Sequence, residues 1–259
     1  MKTTIFNLKH TSSSILLLFI LGFIFSNSSL AQNQTFLIHE DQVLPSKQGD
    51  YVAVSKEFIT LCKENNFPEP WKVAQMNDGK FLIITSLKNF ADLDKNPMED
   101  LAKKVGKEKF GSYFEKFNQC YDNHGSYVII LNNELSYMPD GLTITQEGLD
   151  YRKWFFMDVS AKNKSEFKEK MKEIKDLFVD KKSKMHYRVY ESGFGQVGDR
   201  FVVVISAKDG LDYAQKSEEN RNLLGNDFKL KFDHLYSLLS NYSEISGRMR
   251  PDLSYTPKK

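Results

Sequence analysis

The chain has 259 residues, 36 basic and 34 acidic side chains, a formal charge of +2, and 41% hydrophobic residues. That length is enough for one large core or for two lobes sharing one. The near-neutral balance leaves no electrostatic footprint for nucleic acid, and runs such as Lys181-Lys182-Ser183-Lys184 read as solvated surface.

Residues 1–31 have the three parts of a signal peptide. Lys2 and Lys9 give a positive start, Ile15 to Phe25 form an apolar run, and Ser29-Leu30-Ala31 offers small residues for a cut near Ala31. The apolar run is too short to span a bilayer. The expectation is a secreted or periplasmic protein with no membrane association after cleavage. Removing Lys2 and Lys9 leaves 34 basic against 34 acidic residues, a formal charge of zero. An oxidising compartment permits a Cys62–Cys120 bridge, while two buried thiols fit the sequence equally well.

Further along, Phe36 to His39 reads as a short strand, and Val54, Phe58, Leu61 and Cys62 make an apolar stripe on a helix near 50–65. Trp71 to Met76 and Lys80 to Ser86 are strands joined by Asn77-Asp78-Gly79, a hairpin signal. A helical stretch over 97–122 breaks near Gly106, and Ser126 to Leu131 closes the first unit as a strand. Pro139 to Asp150 is polar and turn-forming, a connection.

The same order then returns. Trp154 to Ser160 is a strand, and Phe167, Met171, Ile174, Leu177 and Phe178 form a helical stripe. Met185 to Tyr190 and Phe201 to Ser206 are strands around a loop with Gly193, Gly195 and Gly198, which suits a lid better than a phosphate loop because a strand follows it. Helical segments over 210–242 carry Gly225 where the first unit has Gly106, and Glu244 to Arg250 is the last strand. Two sequence matches support a duplication. Leu135-Ser136-Tyr137-Met138-Pro139 recurs as Leu253-Ser254-Tyr255-Thr256-Pro257, 118 positions on, and Phe81 to Asn89 recurs as Phe201 to Asp209, 120 positions on.

Strand-helix-strand twice over is the split β-α-β, ferredoxin-like unit, whose sheet has one face without helices. Two tandem lobes, 32–140 and 141–259, can cover those faces by packing sheet to sheet. The fold class is therefore α+β, a pseudo-symmetric α+β barrel with helices outside. In this order and duplication the chain resembles the dimeric α+β barrel superfamily in its fused two-lobe form, over about residues 36–255. That superfamily includes antibiotic-biosynthesis-monooxygenase-like and chlorite-dismutase-like proteins. The resemblance implies a lumen between the sheets. It does not imply one activity, because cofactor-free oxygenases, haem proteins, isomerases and plain binders share the fold.

Strand alternation sorts side chains onto two faces. It puts Trp154, Phe156 and Asp158 in the lumen, opposite Phe155, Met157 and Val159, and puts His186, Arg188 and Tyr190 there too. Arg248 is assigned inward from the last strand, and the repeat is used to place His39 opposite Asp158, with Phe36 and Ile38 under helices. The candidate pocket is thus His39, Trp154, Phe156, Asp158, His186, Arg188, Tyr190 and Arg248, lopsided toward the second lobe. It is read as a site for a small apolar or aromatic ligand, with Arg188 or Arg248 as a carboxylate fork. Asp158, Arg188 and Arg248 read equally as ion pairs fastening the sheets. No nucleophile elbow, paired-Cys motif or HExxH occurs, so no catalytic residue, metal or cofactor is assigned. One alternative is a cofactor-free oxygenase or isomerase with His39 or His186 as base. A haem version would need one of these histidines as axial ligand. The other alternative is a module docking an envelope protein.

Overall fold

The computed structural model describes residues 33–258, so the expected signal peptide lies outside the described residues. Among the described residues there are eight strands and five α-helices. The strands are β1 (Gln34–Val43), β2 (Lys72–Met76), β3 (Lys80–Leu87), β4 (Tyr121–Tyr137), β5 (Tyr151–Val159), β6 (Tyr187–Ser192), β7 (Asp199–Ala207) and β8 (Leu239–Met249). The helices are α1 (Gln48–Glu64), α2 (Pro97–Val105), α3 (Lys107–Asn118), α4 (Lys164–Asp180) and α5 (Gly210–Ser237). Helix breaks fall at Gly106, between α2 and α3, and at Gly225, inside α5, as the duplicated pattern predicts. No helix among the described residues is long and apolar enough to cross a membrane.

The strands close into one antiparallel barrel in the order β1-β3-β2-β8-β5-β7-β6-β4, with β4 returning to β1. This is the expected α+β barrel, and hydrogen bonds join the two halves at both edges. One seam pairs β2 with β8, and the other pairs β4 with β6. At the first seam a Cβ added to Gly247 would stand 2.1 Å from the Gln75 carbonyl oxygen, so the backbones approach as closely as they do because that residue has no side chain.

The recurring Leu-Ser-Tyr segments have matching jobs. Ser136 Oγ accepts from the Val189 N–H at 2.9 Å, and Ser254 Oγ accepts from the Val73 N–H at 3.0 Å. The Tyr137 hydroxyl donates to the Ser183 carbonyl at 2.9 Å, and the Tyr255 hydroxyl donates to the Phe67 carbonyl at 2.7 Å. Each acceptor lies just past the end of a helix, α4 or α1. Each segment therefore docks on the half to which it does not belong.

Apolar side chains fill the barrel interior and the layers outside it. Phe167, Met171, Ile174 and Phe178 of α4 pack against Met157, Val159, Tyr187, Val189 and Phe201 outside the barrel. Phe58, Leu61, Phe67, Tyr255 and their neighbours form the corresponding layer in the first half. The barrel interior holds Phe36, Ile38, Ala74, Met76, Leu82, Leu131, Trp154, Val204 and Met249. Cys62 and Cys120 are buried free thiols, and burial pushes the Cys62 thiol up to about 12.

Three expected placements are corrected. Phe36 and Ile38 point into the barrel, so His39 faces the helix side. A one-residue error in the transferred register inverts a whole strand. The offset of 118 seen in the Leu-Ser-Tyr match pairs Glu40, not His39, with Asp158. In β8, Ile245 and Met249 pack inside, which leaves Arg248 exposed on the outer surface beside Tyr151 and Gly210. His186 precedes β6 and packs edge-on against Tyr137 at 5.7 Å, outside the lumen lining.

Candidate functional site in the barrel lumen

The lumen holds a cavity of about 260 Å³. Its middle is apolar: Ile38, Met76, Leu82, Ile84, Trp154, Phe156 and Val204 line it. Polar groups gather at its two ends.

At the more open end, Arg200 of β7 grips Asp158 of β5, its cross-strand partner. Nε donates to Oδ1 at 2.6 Å, and a second guanidinium nitrogen donates to Oδ2 at 3.1 Å. The fork holds the Asp158 carboxyl below the usual carboxylate range, helped by Asn241. Tyr127 donates to Glu40 at 2.9 Å, and burial with the nearby Glu40 charge pushes its phenol up. Lys80 stands 3.8 Å from the same Glu40. Gln196, from the glycine-bearing loop between β6 and β7, completes this mouth. That loop is anchored to β4, where Val128 exchanges hydrogen bonds with Phe194 and Gly193 at 2.8 and 2.9 Å.

The closed end is cationic. Arg152 and Arg188 are 2% and 1% exposed, and both line the cavity with Tyr190. Arg152 donates to the Tyr151 carbonyl at 2.9 Å, the Ile144 carbonyl at 3.1 Å and the Leu149 carbonyl. Arg188 donates to Ser206 Oγ at 2.8 Å, Gln146 Oε1 at 3.2 Å and the Thr143 carbonyl. Most of these acceptors belong to the connection over 139–150, which crosses the end of the barrel and presses Leu142 and Ile144 against its core. Among the described residues, neither arginine has a carboxylate partner within ion-pair distance. Neutral acceptors satisfy donors but leave the charge uncancelled. Burial, with the Arg188 charge second, pushes the Arg152 guanidinium down to about 10. Burial pushes the Tyr190 phenol up, against the pull of both arginines.

The sequence-derived candidates thus divide. Trp154, Phe156, Arg188 and Tyr190 meet in the lumen. Asp158 lies on the same strand face but is committed to Arg200. His39, His186 and Arg248 lie elsewhere. Neither His39 nor His186, the axial ligands named for a haem version, lines the lumen cavity; His39 lines a separate cavity on the helix side. Burial holds the His186 imidazole below its ordinary value, with Asp140 opposing this at 3.8 Å.

Arg152, Arg200, Glu40, Lys80 and Tyr127 were not anticipated. Alternation carried two residues before Trp154, or one before Phe201, would have found the two arginines. Alternation carried two residues before Leu82 would likewise have found Lys80, whereas Tyr127 had no comparable signal.

No protein-family model and no curated protein sequence matches the chain. Solved structures do. The chain is similar to an anthrone oxidase-like protein, with a TM-score of 0.56 and 9% identity, covering 84% of this chain and 91% of the other. It is similar to a proposed monooxygenase from Fusobacterium nucleatum, with a TM-score of 0.53 and 13% identity over 83% of this chain and 92% of the other. A mutant chlorite dismutase from Candidatus Nitrospira defluvii gives 0.50 and 9% identity over 84% and 92%. At such identities the likeness shows the shared fold alone.

Proposed function

We propose that the lumen binds a small apolar or aromatic molecule carrying an anionic group, a carboxylate being the simplest, in an exported protein. One observation carries this reading: two fully buried guanidiniums, unpaired with any acid among the described residues, form the floor of an otherwise apolar cavity. A carboxylate seated there would supply the missing negative charge, and its hydrocarbon part would lie against Trp154, Phe156 and Ile84. Export rests on the signal-like residues 1–31. Binding is favoured over oxygenase or isomerase chemistry because the base assigned to that chemistry, His39 or His186, does not open into the lumen.

Thermal unfolding and calorimetric titration against paired aromatic acids and amides, such as benzoate and benzamide, test the proposal. The acids should stabilise the protein and the amides should not, and Arg188→Gln should remove the difference. Equal responses to acids and amides, or no response to a broad set of aromatic and aliphatic acids, would overturn it.

A further inference from the structure

We propose that His39, Asp41 and His124 form a binding site for a divalent transition-metal ion on the outside of the barrel. It is separate from the lumen and independent of the lumen reading. Adjacent strands create the cluster. Asp41 of β1 lies opposite His124 of β4, and His39, two residues earlier on β1, lies opposite Ser126. All four side chains consequently share the helix-facing side of the sheet. One ligand atom from each of His39, Asp41 and His124 falls within 4.8 Å of the others.

Three details favour an ion over a plain His–Asp pair. Asp41 is only 4% exposed, yet its Oδ1 is buried and accepts no hydrogen bond. His39 Nε2 stands 3.1 Å from that oxygen, in ion-pair range but outside hydrogen-bond geometry. A buried carboxylate oxygen left this way is costly, and a cation between these atoms would satisfy it. The inner ligands also have the supporting hydrogen bonds that metal ligands ordinarily have. The Ser126 hydroxyl engages His39 Nδ1 at 2.9 Å, leaving Nε2 to face the site, and the Tyr51 hydroxyl donates to Asp41 Oδ2 at 2.6 Å. Finally, His124 is exposed and its ring lies 5.4 Å from that of His39, so it can complete the set by side-chain rotation.

Two imidazoles and one carboxylate suit zinc, iron, cobalt or nickel rather than calcium or magnesium. Three protein ligands leave at least one coordination position for water or another molecule. His39 and Asp41 also line a cavity of about 540 Å³ between the first-half helices and the sheet, so the ion would sit at the edge of a large apolar pocket with Tyr51, Phe58 and Trp71 in its wall.

The test uses tag-free full-length protein stripped with a chelator. Zinc and cobalt are titrated by calorimetry, cobalt is also followed by its visible absorption, and circular dichroism checks the fold of each variant. One equivalent should bind and raise the melting temperature, and His124→Ala and His39→Ala should each weaken binding by about tenfold or more. Arg188→Met should leave metal binding unchanged. Absence of stoichiometric binding overturns the proposal. So does binding that survives in a folded His39→Ala/His124→Ala double variant, because the ion would then sit elsewhere, for example on the exposed His234–Glu166 pair.

Discussion

Replacing Arg152 with Met separates a ligand clamp from a structural pin. The substitution removes three hydrogen bonds to the carbonyls of Ile144, Leu149 and Tyr151. At about 1 kcal/mol net each, a pin would lose about 3 kcal/mol of stability. The same substitution removes a charge that burial disfavours. The guanidinium is pushed down to about 10, a displacement worth about 3 kcal/mol against the charged form. The sign follows from linkage: a cation whose folded-state pKa is depressed destabilises the fold fully at pH below that pKa, and the cost fades only as pH rises from there to the ordinary value. At neutral pH the cost is fully present, so the two effects offset. Arg152→Met should leave unfolding stability within about 1 kcal/mol of the parent, read from urea midpoints at constant slope. Affinity for an aromatic carboxylate should fall by about tenfold to a hundredfold, the worth of one charge-assisted contact. A loss of about 3 kcal/mol with unchanged acid affinity would refute the clamp and leave the arginine as a fastener of the connection.

Gly247→Ala should cost about 3 kcal/mol or more in urea unfolding, because the new methyl would strike the Gln75 backbone at the β2–β8 seam. Tyr137→Phe and Tyr255→Phe should each cost about 1 kcal/mol, and additively, since the two hydroxyls bond to carbonyls in different halves. A double variant well outside that sum would show that the seams are coupled. The Arg250 guanidinium holds Asp252 down at about 2, so this pair stabilises the fold fully above about pH 4 and ceases to as pH falls toward 2. Its carboxylate is 44% exposed, so screening reduces the effect to about 1 kcal/mol, and the stability gap between parent and Asp252→Asn should close over that acid range.

The sequence declared the barrel more clearly than its interior. In β5, Phe155, Met157 and Val159 make one face wholly apolar while Asp158 marks the other, so the alternation settles which side the helices cover. In β1 that contrast is missing. Phe36 and Ile38 are buried inside, and Leu37 lines the helix-side cavity, so both faces are apolar and a one-residue slip has no local penalty. In β8 the polar face looked like the functional one. Polarity there means solvent, because the lumen is mostly apolar and Ser246, Arg248 and Glu244 lie on the side away from Ile245 and Met249. The cationic floor was half legible. Arg188 followed from alternation, whereas Arg152 belonged to a strand that begins three residues earlier than the apolar run suggested.

The chemical difference between the halves follows from what the connection touches. Stepping back 118 positions from Arg152 gives Gln34, and the serine contacts at Val189 and Val73 align Arg188 with Lys72. Neither Gln34 nor Lys72 is fully buried, whereas both arginines are. The segment over 139–150 lies against the second-half positions, and its carbonyls supply the neutral acceptors that let two guanidiniums be buried there. Those bonds orient each side chain and leave its charge uncancelled, a pre-organised state for receiving an anion. The cationic end thus lies where the connecting segment closes the barrel, and the apolar wall draws on strands of both halves.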